Sequence, residues 1–277
     1  VTAPFVKMAG GKRQLLPEIL KRLPATISRY YEPFVGGGAV FFALALEGRF
    51  KRATLSDVNA ELVNTYQVVA TPDARPELME RLRRLPWSQD GYYRTRASNP
   101  RSPIARAARF IYLNRAGFNG LWRVNSKGQC NVPFGHHAKS PINGRLFVKL
   151  YAAGAVLEQA QIIQGDFRTL WRGSAGPRKG DVVYCDPPYL PAGEAKSFAA
   201  YDASGFGVKE TEALAEHALR WSKRGAHVLL SNADTPEVRR IFAGFQIERV
   251  TARRSINRNG AGRGSVGELL IQPRGQS

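Results

Sequence analysis

Tyr31-Glu32-Pro33-Phe34-Val35-Gly36-Gly37-Gly38 decides how the rest of the chain is read. Ile27 to Phe34 has the character of a strand running into a turn. Three successive glycines there let a ligand approach the backbone closely. Ala39 to Glu47 takes up helical periodicity. Because Ala39, Val40 and Phe41 follow the glycines, the dinucleotide spacing G-x-G-x-x-G is not met. Arg52 to Ser56 forms a second strand, closed by Asp57 about twenty residues on, where a carboxylate can accept hydrogen bonds from ribose hydroxyls. A helix over Ala60 to Val69 completes a βαβ unit. Taken alone, the stretch fits an ordinary strand–turn–helix corner as well as a nucleotide site.

The same alternation returns late in the chain. A helix over about Arg145 to Gln159 leads to a strand at Gln161 to Gln164, and Asp181 to Cys185 is a buried strand. A helix over Val208 to Lys223 is followed by strands at His227 to Leu230, near Phe245 to Val250, and at Ser265 to Gln272. Between the halves, residues 71–150 change character. Pro72, Pro76, Pro86, Pro100 and Pro103 punctuate short Arg-rich helices (Glu77 to Leu85, Pro103 to Asn114), and Gly117 to Pro133 reads as turns and a hairpin. The expectation is an α/β domain from 1–70 and 151–277, interrupted by a mainly helical insert over 71–150.

With 277 residues, 43% of them hydrophobic, the chain can bury a sizeable core. Its 41 Lys and Arg against 22 Asp and Glu leave a net charge of +19, which favours a polyanionic partner. Gly91 to Leu150 holds eleven Lys or Arg and no Asp or Glu, interleaved with Tyr92, Tyr93, Phe110, Tyr112, Phe118, Trp122 and Phe134. A solvated helix face mixes signs; sixty residues of one sign among aromatics fit a nucleic-acid surface with stacking groups. Arg249 to Arg274 adds six Arg against Glu268 alone. No apolar run reaches membrane-spanning length and Val1 to Phe5 has no signal-like apolar core, so a cytoplasmic location is expected. Cys130 and Cys185 supply neither a disulfide framework nor a zinc cluster and read as reduced thiols.

Asp186-Pro187-Pro188-Tyr189 stands at the end of the apolar strand Val182-Val183-Tyr184. Two prolines hold the chain extended and remove two donors, so nearby carbonyls can face a ligand. The Asp186 carboxylate and the Pro187 carbonyl are acceptors suited to an amino nitrogen, and Tyr189 offers a flat ring for a base. In an α/β sheet, ligands bind at such carboxyl ends of strands. Ala9-Gly10-Gly11-Lys12 precedes a helical run to Leu23 but does not make a phosphate loop. His136-His137 has no Cys or carboxylate at ligand spacing, which favours phosphate contact or plain loop over a metal.

Four motifs occur in order: Ala9-Gly10-Gly11-Lys12, Glu32-Pro33-Phe34-Val35-Gly36-Gly37-Gly38, Ser56-Asp57-Val58-Asn59 and Asp186-Pro187-Pro188-Tyr189. Between them lie Tyr112-Leu113-Asn114-Arg115, Gly117-Phe118-Asn119-Gly120 and Asn131-Val132-Pro133-Phe134-Gly135. From Phe5 to about Ile271 the chain closely resembles the Dam-type N6-adenine DNA methyltransferases.

That resemblance implies a Rossmann-like S-adenosylmethionine-dependent methyltransferase fold with a mixed, mostly parallel sheet, the insert serving as target-recognition domain. It implies cofactor contacts at Met8, Lys12, Phe34, Gly36, Asp57, Asp166, Phe167 and Asp186, and catalytic roles for Asp186, Pro187 and Tyr189. Met8 stands where the family usually has Trp; a thioether packs against an aromatic ring adequately. Phe118, where Tyr is common, and Asn119 would fill the gap left by an extruded adenine. Arg123 and Lys7 would read guanines, Leu121 and Pro133 a thymine, and Arg115 belongs to the same DNA-binding segment, which points to GATC. The resemblance further implies double-stranded DNA as partner, no membrane, no obligate protein partner, a monomer acting on each strand in turn, no metal, and a bacterial or phage-encoded enzyme. Whether it is a solitary methylase or the partner of a restriction enzyme stays open.

Rival readings remain. A PD-(D/E)xK-like nuclease would use Asp186 with Glu194-Ala195-Lys196 and Mg²⁺, leaving the glycine turn and Asp57 unexplained. A zinc deaminase also flips bases, but H-x-E and P-C-x-x-C are absent. A non-catalytic DNA-binding module would explain only the charge, and a glutamine or RNA amino-methyltransferase should lack the recognition segment.

Overall fold

The computed structural model describes residues 3–8, 10–125, 127–136, 138–171, 176–190, 205–252 and 266–275. In chain order its elements are α1 (Leu16–Lys21), β1 (Tyr30–Glu32), α2 (Ala39–Leu46), β2 (Ala53–Asp57), α3 (Ala60–Ala70), α4 (Arg75–Arg84), α5 (Gln89–Ala97), α6 (Pro103–Ala116), α7 (Gly144–Leu157), β3 (Ala160–Gln164), β4 (Val182–Cys185), α8 (Val208–Lys223), β5 (His227–Ala233), α9 (Pro236–Ile241), β6 (Phe245–Ala252) and β7 (Val266–Pro273). The seven strands run in the order β3-β2-β1-β4-β5-β7-β6. β1, β4 and β5 pair in parallel, and β7 pairs antiparallel with both β5 and β6. This is the expected mixed, mostly parallel Rossmann-like sheet.

By contact the chain divides into two interleaved units, one of residues 1–11, 35–48 and 55–164, the other of 12–34, 49–54 and 165–277. The first contains the whole 71–150 segment together with α2, α3, α7 and β3. Asn59 caps α3, its side-chain oxygen accepting from Glu61 N and Leu62 N at 3.1 and 3.2 Å. α3 lies against α6 and α7, and α4 against α6. Buried Arg75 runs across this interface, donating to Val69 O and Ala70 O and pairing with Glu158. A Cβ on Gly154 would fall 2.3 Å from the Arg75 Nε, so α7 accommodates glycine mid-helix to let the guanidinium pass.

The second unit carries the apolar face of β4 and β5 against α8. Val183, Cys185, Val228 and Leu230 point toward Leu214, Ala218 and Trp221, while Leu269 and Ile271 extend that face onto β7. Alternation sends Tyr184, Asp186, Ser231 and Glu268 to the opposite face. The β4–β5 register aligns Cys185 with Leu230, and the β5–β7 register aligns Ala233 with Glu268. Asp186, Ser231 and Glu268 are therefore neighbours across three adjacent strands.

Two helices do not stand out in the sequence pattern. α5 is built from Gln-Asp-Gly-Tyr-Tyr-Arg-Thr-Arg-Ala, but Ser88 caps it and Tyr92 is buried, its hydroxyl donating to Val132 O at 3.0 Å. α9 is six residues long and starts from the Thr235 cap with Pro236 behind it. Among the described residues, no helix is long and apolar enough to cross a membrane.

Candidate functional site

In the second unit, the turn after β4 places Asp186 in a small charged cluster. Lys12 Nζ lies 2.9 Å from Asp186 Oδ1, and Ser231 Oγ donates to the same oxygen at 2.9 Å. Tyr184 OH and Ser231 Oγ share a further hydrogen bond of 3.0 Å. Both partners converge on Oδ1; among the described residues nothing donates to Oδ2. Lys12 is only 5% exposed, whereas the Asp186 side chain keeps 21% of its surface open. Burial pushes the Asp186 carboxyl above the usual carboxylate range, Lys12 and Ser231 pull it down, and the nearby Glu268 charge pushes it up again.

Tyr189 closes the cluster. Its hydroxyl donates to Glu268 Oε2 at 2.8 Å, and the Lys12 ammonium sits 4.5 Å from the centre of its ring. Lys12 Nζ is also 3.7 Å from Glu268 Oε2. Burial first, then the carboxylates of Asp186 and Glu268, push the Tyr189 phenol far up, so it remains a donor. Cys185 is fully buried, and burial pushes its thiol well up, which agrees with a structural rather than nucleophilic thiol.

The same unit holds an aromatic cup. The Phe34 ring lies 5.4 Å from Phe167 and 5.6 Å from Phe206, and His217 lies 5.5 Å from Phe167. Asp166 is next to it, but Arg168 donates to its carboxylate from Nε, Nη2 and the backbone N. Burial pushes the Asp166 carboxyl up, yet these Arg168 bonds outweigh it and hold it below its usual range.

In the first unit, the glycine turn is tied to the end of β2. Gly36 N donates to Asp57 Oδ2 at 3.1 Å, Asn59 N donates to Oδ1 at 2.9 Å, and Tyr66 OH donates to Gly36 O at 2.9 Å. Burial pushes Asp57 up against those backbone bonds. Gly38 has φ +69°, and a Cβ there would meet the Phe42 ring and Tyr66 OH at 3.1 Å, so the fold itself demands glycine. Gly37 differs: its φ is ordinary and a Cβ would meet nothing nearer than Val6 O at 3.7 Å. The cradle a side chain would fill at Gly37 is open. Met8 is half-buried beside it.

The residues expected to contact DNA lie elsewhere in the first unit. Asn114, fully buried on α6, accepts from Lys7 N at 2.8 Å and donates to Lys7 O and Gly120 O at 2.6 and 3.1 Å. That one amide brings Lys7 beside the turn Phe118–Gly120. A Cβ on Gly120 would fall 2.4 Å from the Lys7 side chain. The expected hairpin is present, with Val124 bridging Cys130 and Gly117 bridging Phe134. Phe118 N donates to Pro133 O, and Arg123 Nε donates to Asn131 Oδ1 at 2.8 Å. Lys7, Phe118, Asn119, Leu121, Arg123 and Pro133 are all exposed, Phe118 to 50%. Arg115 is half-buried; its Nε has no partner among the described residues, and burial lowers its proton affinity.

Sequence reasoning missed Ser231 and Glu268 as partners of Asp186 and Tyr189, because only strand register brings them together. Asn114 lay within a quoted motif, but nothing in its spacing marked it as a bracket. Glu194-Ala195-Lys196, half of the nuclease reading, falls outside the described residues, as does His137. Among the described residues, no group of three or more His, Cys, Asp or Glu could hold a metal ion.

Comparison with known proteins gives a consistent result. The model of the D12 class N6 adenine-specific DNA methyltransferases matches residues 9–256. The chain is 38% identical over 276 residues to a DNA adenine methylase of Vibrio cholerae, covering 96% of this chain and 94% of that protein. It is 34% identical over 276 residues to the type II methyltransferase M1.LlaDCHI of Lactococcus lactis subsp. cremoris, covering 97% of this chain and 94% of that protein. It is 36% identical over 287 residues to the type II methyltransferase M.MjaIII of Methanocaldococcus jannaschii, covering 97% and 98%. With a family model matched over most of its length and relatives above 30% identity along nearly all of it, the chain belongs to the D12 class N6 adenine-specific DNA methyltransferases.

Proposed function

We propose that the enzyme extrudes adenine from duplex DNA within GATC and methylates N6 by direct transfer, without a metal, as a cytoplasmic monomer needing no protein partner. The observation that carries this reading is the lopsided satisfaction of Asp186. Lys12 and Ser231 both hold Oδ1, which orients the carboxylate and leaves Oδ2 as an acceptor. The Pro187 carbonyl supplies the second acceptor, so the two N6 hydrogens have two partners. Those bonds localise a lone pair otherwise delocalised into the purine, and Tyr189 stacks the ring.

S-adenosylmethionine, the cofactor implied by the family, supplies an electrophilic methyl on a sulfonium. When bound, it would supply the methyl to the N6 lone pair, its sulfur keeping the electron pair of the former S–C bond. N6 then carries the positive charge and yields one proton to the Asp186 carboxylate. Contacts to the cofactor are assigned to Met8, Gly36 and Asp57 in the first unit and to Lys12, Phe34, Asp166, Phe167 and Asp186 in the second. The open cradle at Gly37 and the aromatic cup at Phe34 support that assignment; Asp166 Oδ2, which accepts from Arg168 alone among the described residues, keeps a lone pair for an amino group. Segment 71–150, together with Lys7, is the target reader, with Lys7 and Arg123 on guanines, Leu121 and Pro133 on thymine, Phe118 and Asn119 in the vacated stack, and Arg115 in the same DNA-binding segment.

The test is methyl transfer from labelled S-adenosylmethionine to an adenine-containing duplex in chelator, followed by digestion and detection of N6-methyladenine. The wild type should label adenine, and Asp186→Ala should lose at least about a hundredfold in rate. An Asp186→Ala variant as active as wild type would sink the mechanism. Duplexes altered one base at a time test GATC.

A further inference from the structure

Glu268 belongs to none of the motifs above, yet it touches two members of the cluster around Asp186. Its Oε2 accepts from Tyr189 OH at 2.8 Å and lies 3.7 Å from Lys12 Nζ. The antiparallel pairing of β7 with β5, which sets Glu268 opposite Ala233, fixes the backbone that carries it. We propose that Glu268 is a positioning residue for methyl transfer, anchoring the ring of Tyr189 and offsetting the charge of Lys12. The proposal rests on Asp186 being the acceptor of N6.

The electrostatic argument is simple. Lys12 and Asp186 together carry no net charge, so the ammonium offsets part of the help the carboxylate gives to the positive charge that N6 acquires as the methyl arrives. Glu268 adds one negative charge to the cluster, so its field favours that developing cation. The same carboxylate fixes the tilt of the phenol, while Lys12 lies over one face of the ring. Among the described residues, the groups facing Asp186 are Lys12, Ser231, Glu268, Tyr184 and Tyr189. Of these charges, Glu268 is the one that pushes the Asp186 carboxyl up, making it a stronger acceptor.

Glu268→Gln separates the two contributions, because the amide oxygen still accepts from Tyr189 while the charge is gone. In single-turnover methylation of duplex DNA at saturating cofactor, its rate should fall roughly tenfold, with duplex and cofactor affinities unchanged. The acid limb of the rate should move to lower pH, since removing a neighbouring negative charge makes Asp186 easier to ionise. Tyr189→Phe removes the hydroxyl and keeps the charge, so it should leave the acid limb where it is. Adding Glu268→Gln to Lys12→Met restores one net negative charge and should move that variant's acid limb back toward wild type. A Glu268→Gln enzyme with wild-type rate, or with reduced rate and an unmoved acid limb, overturns the proposal. If Asp186→Ala itself keeps full activity, the underlying reading of Asp186 has failed instead.

Discussion

Replacing Lys12 with methionine removes the cation at the centre of the cluster and keeps most of the apolar stem. The ammonium lies 2.9 Å from Asp186 Oδ1 and is 5% exposed, so solvent screens it poorly. At that distance an effective dielectric of ~20–40 gives an attraction of roughly 3–6 kcal/mol. Removing one partner of a buried pair typically costs about 3–5 kcal/mol, which falls in the same range. Asp186 already sits above the usual carboxylate range through burial, and the loss of Lys12 pushes it further up. At neutral pH the variant therefore keeps less of the ionised carboxylate, and single-turnover methylation at saturating cofactor should fall about 10²–10³-fold. The acid limb of the rate profile should move to higher pH.

Stability follows with a definite sign. A carboxyl whose folded pKa is raised contributes stability that is present below its unfolded pKa and lost as pH rises through the folded one. Lys12→Met raises that folded value. Its stability deficit against wild type should thus be full at neutral pH and shrink as pH falls toward the value of an unfolded carboxyl. Thermal unfolding across pH measures this. An acid limb that does not move, together with a deficit independent of pH, would refute the assignment of Lys12 as the charge partner of Asp186.

Two further predictions concern the recognition surface. Arg123→Ala should relax discrimination at one guanine by about 1–3 kcal/mol, because a bidentate guanidinium contact carries that much, while the exposed position leaves the fold intact. Competition between duplexes altered at single positions measures it, and unchanged discrimination removes the role. Asn114→Ala strands the Lys7 and Gly120 carbonyls that its amide satisfies, and should lower stability by about 2–4 kcal/mol. Since the same amide holds Lys7 beside the recognition turn, discrimination should also weaken in activity measured well below the unfolding temperature. Wild-type stability would show the bracket to be dispensable.

The α/β class, the first βαβ unit and the position of Asp186 at a strand end were all legible in the sequence. Each depends on local pattern: apolar strands such as Val182-Val183-Tyr184, and glycine and proline at turns. α5 was not legible, because its Gly-Tyr-Tyr-Arg-Thr run carries weak helical preference and is held by the burial of Tyr92. α9 is too short for periodicity to register.

By itself the sequence determined the glycine turn, the carboxylate after β4 and the basic, aromatic-laced insert, since adjacent residues carry those signals. It could not show that Gly38 answers to crowding by Phe42 and Tyr66 while Gly37 does not. Nor could it show that Lys12, Ser231 and Glu268 meet around Asp186 and Tyr189. Those groups lie far apart along the chain, and only β-strand register and side-chain alternation bring them to one face. Tertiary structure alone decided which oxygen of Asp186 is held by Lys12 and Ser231, because hydrogen-bond geometry depends on where distant donors come to rest.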